Sequence, residues 1–378
     1  MAETILIILF ALLLIHYLAF LSVIYYGLNN LRTSHSSEYP EEFVSIIVPF
    51  RNETESILHC YESLTEQDFP KDKYEIIFVN DFSTDDSLEK LNANNTFENV
   101  KVFSVPDSYS INAHKKRAIR YGIENSVGDI IVTTDADCVH STKWLKSLLS
   151  FFDNDTGFIS GPVEFLDDNS VFNRIQKSEF AGLVITGAGL IGAEKPTICN
   201  AANIAYRKKV YEEVGGFTYQ MNLSSGDDEL LMQKIHKDSK FKVRFALNRN
   251  AIVKTTANKN LTEFYQQRKR WASKGLFYNN KMLVVKLILI YLFYLSIPIQ
   301  LILGLFFSNV FLFATLISFV AKLLAEFLTL KKGVNLLFEP ALLRSFFWAE
   351  LFQIPYIILA GVSGLFGNYK WKNRKVYR

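Results

Sequence analysis

Residues 5–27 are almost continuously apolar, interrupted by His16 and a few small or hydroxylated positions. A run of about 20 such residues is long enough to cross a hydrocarbon core of ~30 Å. The chain starts Met1-Ala2-Glu3 and the run closes on Tyr25, Tyr26 and Asn29. A secretory leader has a basic start and a small-residue cleavage site, so the pattern predicts a retained anchor with interfacial tyrosines. Apolar runs return only late, at 287–307, 309–330 and 345–367. Glu350, Gln353 and Pro355 interrupt the last of these, and such residues are expected to face protein or water rather than lipid. These runs divide the chain into an anchor (1–28), a mixed globular stretch (29–282) and a C-terminal membrane-embedded region with a basic tail (283–378).

Within the globular stretch, short apolar runs alternate with helical patterns. Val44–Phe50, Tyr74–Val79, Val100–Val105 and Asp129–Thr134 read as buried strands, with a helix opening near Arg51–Glu55 and another around 112–126. That alternation predicts an α/β unit with a parallel sheet and right-handed crossovers. Ligands of such sheets sit at strand carboxyl ends, where Asp81 and the Asp135/Asp137 pair fall. Two aspartates one residue apart can bring hard oxygen ligands to one divalent cation, Mg2+ or Mn2+, that also meets substrate phosphates. Taken alone, such a pair is also a common pattern of solvated loop acids. No glycine-rich phosphate loop is present, which counts against dinucleotide enzymes and P-loop ATPases.

Composition adds limits. Apolar residues make up 49% of the chain and Phe occurs 32 times, which excludes a disordered chain. Forty-one basic residues against 38 acidic ones leave a formal +3, too balanced for a nucleic-acid binder. Cys60, Cys138 and Cys199 have neither disulfide-framework nor zinc spacing. Cys138 and His140 follow the acidic pair, but a soft thiolate is a poor magnesium ligand, so Cys138 reads as packing.

Together the stretches Val44–Glu53, Val79–Asp85, Lys115–Gly122, Asp135–Asp137, Gly226–Glu229 and Gln267–Trp271 resemble, in order and spacing, the membrane-bound branch of the family 2 glycosyltransferases. The resemblance spans roughly residues 43–275 and implies a GT-A fold, a Rossmann-like nucleotide-sugar-binding domain, between the N-terminal transmembrane helix and the C-terminal helical region. It implies that Asp81 binds the base or ribose beside the Pro49–Glu53 turn, which includes Arg51. Lys115 would lie near the base and pyrophosphate, Asp135 would hold the nucleotide sugar and Asp137 the metal. Asp228 would be the general base, and Gln267, Arg270 and Trp271, a Q-x-x-R-W motif, would meet diphosphate and acceptor. Asn80 and His114 depart from the pattern, where Asp and Gly are common, and Asn80 is assigned no role. By itself, Gly226–Glu229 also reads as an acidic helix start, and Gln266–Arg270 with Lys274 as a membrane-surface basic patch.

The implied activity is inverting, metal-dependent sugar transfer from a UDP- or GDP-sugar to a lipid or lipid-linked glycan at the cytoplasmic face of a cell membrane. Two alternatives are an oligomeric, processive polysaccharide synthase and a non-catalytic nucleotide-sugar-binding membrane protein. About four apolar segments are few for a polymer channel, and retention of every acidic motif residue argues against the sensor. Charge bias places Lys281, Lys286, Lys331 and Lys332 inside. A third crossing would put Lys370, Lys372, Arg374, Lys375 and Arg378 outside, so residues 334–367 are expected to dip in and return, with a broken backbone.

Overall fold

A computed structural model of the chain describes residues 1–33, 39–109, 114–217, 228–273, 278, 280–365, 369–371 and 374–376. Gly226, Asp227 and Lys274 lie outside the described residues. A long helix, α1 (Ala2–Gly27), leads into the globular domain. There follow β1 (Val44–Phe50), α2 (Ile57–Thr65), β2 (Tyr74–Asn80), α3 (Ser87–Asn94), β3 (Val100–Ser104), α4 (His114–Glu124) and β4 (Ile130–Thr133). The second half contains β5 (Cys138–His140), α5 (Trp144–Leu149), β6 (Thr156–Ser160), β7 (Val163–Phe165), α6 (Val171–Gly192), β8 (Ile204–Arg207), α7 (Lys208–Glu213) and α8 (Glu229–Asp238). It ends with β9 (Lys242–Phe245), β10 (Val253–Thr255) and α9 (Leu261–Ala272).

The main sheet has seven strands in the order β3-β2-β1-β4-β8-β6-β9. Strands β3, β2, β1 and β4 are parallel, and β8 runs antiparallel to both β4 and β6. Every residue of β1 and β2 is buried, as expected of central strands covered on both faces. The chain order reverses between β1 and β4, so their carboxyl ends open a crevice at a topological switch point. A small sheet, β5-β10-β7, closes one side of that crevice.

Among the described residues four helical segments are long and apolar enough to cross a membrane: α1 with its following turn, α10 (Lys281–Phe306), α11 (Asn309–Leu337) and Pro340–Gly364, which takes in all but the last residue of α12 (Phe346–Leu365). Helices α1, α10 and α11 pack together. Glu3 accepts from Ser308 at 2.7 Å near the α10–α11 turn, Phe10 meets Phe311 edge-on, and Tyr17 stacks on Phe293 at 4.4 Å. At its other end α1 touches α6 backbone to backbone. A Cβ on Gly27 would sit 2.0 Å from the Gly189 carbonyl, so glycine alone permits this approach.

The C-terminal block differs from expectation in its backbone. Residues 334–337 complete α11, a 3-10 turn spans Pro340–Ser345, and α12 is one continuous helix with Pro355 inside it. Instead of following α10 and α11, α12 lies across them. It meets Phe327 and Lys322 of α11, then Tyr294 and Tyr291 of α10, and its Gly364 end reaches Ala272 of α9. Its polar residues face protein, as expected. Glu350 pairs with buried Lys322, and Gln353 accepts from Lys322 and Tyr294 at 2.9 Å. Beyond α12, β11 (Tyr369–Trp371) and β12 (Arg374–Val376) pair antiparallel.

Candidate active site

The turns after β1 and β2 are tied together. Asp81 N–H donates to the Phe50 carbonyl at 2.8 Å, and Arg51 donates from Nη1 to the carbonyls of Asp81 (2.8 Å) and Phe82. Asn52 and Phe82 adopt left-handed backbone angles (φ 53° and 60°), and Asn52 Oδ1 accepts from Thr84 N–H at 2.8 Å. Arg51 therefore shapes this rim through backbone contacts. The Glu53 carboxylate accepts from Ser56 Oγ at 3.1 Å at the start of α2. Asn80, which was assigned no role, caps the next turn by accepting from Ser83 N–H at 2.9 Å.

The Asp81 side chain is buried and accepts from Arg117 Nε at 3.0 Å, with Nη2 on the same oxygen. The Arg117 guanidinium lies 4.7 Å from the Phe82 ring centre. Across the crevice Lys115 forms an ion pair with Asp135. Desolvation and the neighbouring Asp135 charge push the Asp137 carboxyl up to about 6. The neighbouring thiols are not anionic ligands: burial holds both Cys60 and Cys138 well above the usual thiol range. His140 is a core residue. Its Nε2 meets Thr134 Oγ1 at 2.8 Å and its Nδ1 meets Ser63 Oγ at 3.0 Å, and burial lowers it to about 3.

Asp228 sits at the N-cap of α8, as a simple acidic helix start would. It also reaches into the crevice. Oδ1 accepts from Glu229 N–H at 2.7 Å and Oδ2 from Ala201 N–H at 2.9 Å, which fixes the carboxylate from two elements. On α9, Gln267 Oε1 accepts from Asn258 (3.0 Å) and Arg268 (3.0 Å). Trp271 stacks loosely on Phe180 of α6 at 6.3 Å. Arg270 makes no ion pair with any described residue.

Pro49, Arg51, Glu53, Asp81, Lys115, Asp135, Asp137, Asp228, Gln267, Arg270 and Trp271 line one cavity of about 210 Å3. The structure thus brings together the eleven residues to which the sequence reading gave a site role. It adds Asn200–Ala202 and Thr255–Thr256 to the lining. Two arginines behind it were missed. Arg117 lies two positions beyond Lys115, but nothing in the sequence joins it to Asp81. Arg268 is buried between the rings of Phe264 (4.5 Å) and Trp271 (4.3 Å) and pairs with Glu179 of α6. A basic residue on α9 read as a surface charge, whereas this one is a buried anchor.

The donor set fits a divalent cation. Asp135 and Asp137 are hard, like-charged ligands whose repulsion a cation would relieve. Among the described residues no group of three or more His, Cys, Asp or Glu converges to hold a metal alone. A cation here would complete its shell with substrate oxygens and water, as magnesium sites commonly do.

Residues 45–215 match the profile of Glycosyl transferase family 2. Glycosyltransferase AglE of Haloferax volcanii is 29% identical over 49% of this chain and 59% of its own length. The dolichyl N-acetyl-alpha-D-glucosaminyl phosphate 3-beta-D-2,3-diacetamido-2,3-dideoxy-beta-D-glucuronosyltransferase of Methanococcus voltae is 34% identical over 28% of this chain and 32% of its own. The chain thus spans less than two thirds of these relatives. The mannosyltransferase PcManGT of Pyrobaculum calidifontis, solved with GDP-Man and Mn2+, superposes with a TM-score of 0.60 over 96% of this chain and 99% of its own, at 18% identity. That likeness establishes the fold, a GT-A-type α/β domain. The profile match, with the curated relatives, identifies residues 45–215 as a glycosyl transferase family 2 domain.

Proposed function

We propose that the chain transfers a sugar, with inversion, from a UDP- or GDP-sugar to a lipid or lipid-linked glycan at the cytoplasmic face of a cell membrane. One observation carries this reading: a single crevice joins the acidic pair, the anchored Asp228 and Arg270, which makes no ion pair with any described residue. Asp81 offers a carboxylate for the base or ribose. Lys115 and Arg270 supply positive charge for the departing diphosphate, and preorganised charge of this kind is a large part of such catalysis. Asp135 and Asp137 would hold the cation, which when bound neutralises charge on the diphosphate. Asp228 takes the proton of the acceptor hydroxyl as the new glycosidic C–O bond forms. The bond from the anomeric carbon to the diphosphate oxygen breaks on the opposite face. Trp271 offers an apolar surface to a sugar ring.

Support for a membrane acceptor comes from the apolar helices and from relatives named for lipid phosphates, including the undecaprenyl-phosphate 4-deoxy-4-formamido-L-arabinose transferase of Pseudomonas fluorescens. The test is Asp228→Asn, assayed for nucleotide release from a panel of UDP- and GDP-sugars with extracted membrane lipids. Nucleotide binding should persist while turnover falls ~10²–10⁴-fold, the usual loss for a missing general base. Normal turnover would refute the assignment of Asp228.

A further inference from the structure

A cavity of about 540 Å3 lies between α1, α6, α10, α11 and α12, within the ~300–1,000 Å3 range of ligand sites. Its walls are mainly apolar, among them Phe20, Leu183, Leu190, Ile290 and Ile357. Each acid that touches it has a cationic partner within the protein, two of them sharing one lysine. Glu179 pairs with Arg268 and also accepts from Tyr356, while Glu326 and Glu350 share Lys322. Two lysines on the lining, Lys195 and Lys286, are exposed and form no ion pair with any described residue. The cavity therefore offers an apolar interior and two lysines without an ion pair among the described residues.

A second cavity, about 230 Å3, lies between this space and the crevice. It shares Leu183 and Ile198 with the large cavity, and Phe180, Asn200, Asp228 and Trp271 with the crevice. The three spaces thus adjoin in series across α6, from the region of the apolar helices to the carboxylate of Asp228.

We propose that the large cavity binds the hydrocarbon chain of the acceptor, a single-chain lipid whose phosphate carries a sugar. Its phosphate meets Lys195 and Lys286, and a hydroxyl of that sugar reaches Asp228 through the smaller cavity. This inference rests on the transferase reading and names its acceptor class. Helices of membrane-crossing length form the walls, so the occupant comes from the bilayer; the lysines select an anionic head over a neutral one. Gly182 on α6 lines the cavity, and a Cβ built there meets nothing within 4 Å. A larger side chain at this position would fill the space without a clash at its first carbon, and leaving glycine favours the helix.

The test uses the full chain in lipid nanodiscs and three photoprobes with the same diazirine-bearing tail: hexadecyl phosphate, hexadecanol and a diacyl phosphatidylglycerol. Hexadecyl phosphate should label the α1, α6 and α12 residues of the cavity. Gly182→Leu should cut that labelling by about tenfold or more, corresponding to at least ~1.4 kcal/mol, with nucleotide binding intact. If the Leu variant fails to fold, Gly182→Ala, which fills less space, should still give a partial loss. The double variant Lys195→Gln/Lys286→Gln should reduce hexadecyl phosphate labelling to the hexadecanol level. Labelling unaffected by any substitution at Gly182, or indifferent to the phosphate, would overturn the proposal. Equal labelling of the same residues by phosphatidylglycerol would also overturn it, by identifying a site for bulk bilayer lipid. Nucleotide release from the sugar donors is measured separately, so a failed transferase reading is distinguishable from a failed lipid site.

Discussion

Replacing Arg117 with Met keeps a long stem but removes the cation from a nearly enclosed pair, in which the side chains are 14% and 3% exposed for Arg117 and Asp81. Breaking a buried pair from one side removes the guanidinium that Asp81 accepts from, at a typical cost of ~3–5 kcal/mol. Arg117→Met should therefore destabilise the domain by about that much, measured by denaturant unfolding of the solubilised chain. Adding Asp81→Asn removes the buried charge that Arg117 faced and should restore part of the loss, giving a coupling energy above the ~0.5 kcal/mol scatter of independent sites. Nucleotide affinity separates the two roles of Asp81. It should fall in Arg117→Met and stay low in the double variant, because the carboxylate proposed to meet the base or ribose is then absent. A single Arg117→Met variant within ~0.5 kcal/mol of wild type would show that the pair is not an important support of the nucleotide side.

Excess EDTA should stop turnover, and Asp137→Ala should do the same even with added Mn2+; full activity in EDTA would refute a metal-dependent mechanism. His140 titrates at about 3 in the folded chain, below its ordinary 6.5, so protonation favours unfolding. Stability should be undiminished above pH ~6.5 and lower by about 2 kcal/mol at pH 5, whereas a His140→Gln variant should lack that component of the pH profile. Because α12 runs from α11 back to α9, cysteines introduced at Asn30 and Asn373 should lie on the same side of the membrane. An impermeant thiol reagent should label both only in opened cells, and tail labelling in intact cells with Asn30 protected would show a full third crossing.

The sequence by itself determined the strands β1 to β4, the acids at their carboxyl ends and the positions of the apolar blocks. Central parallel strands are apolar on both faces, so they register as short continuous runs, and each chemical motif is a few adjacent residues. Asp135 and Asp137 needed no tertiary information to be placed on one turn. Tertiary structure decided what such local patterns do not encode. Asp81 and Arg117 are 36 residues apart, and Glu179 and Arg268 are 89 apart. Only packing of α4 on the sheet, and of α9 on α6, brings each pair together. Hydropathy likewise fixed the length of the last apolar block but not its direction. That α12 lies across its neighbours follows from its partners Lys322, Tyr294 and Ala272, on three different helices. Apolar character measures compatibility with lipid, whereas orientation is set by which side chains interlock.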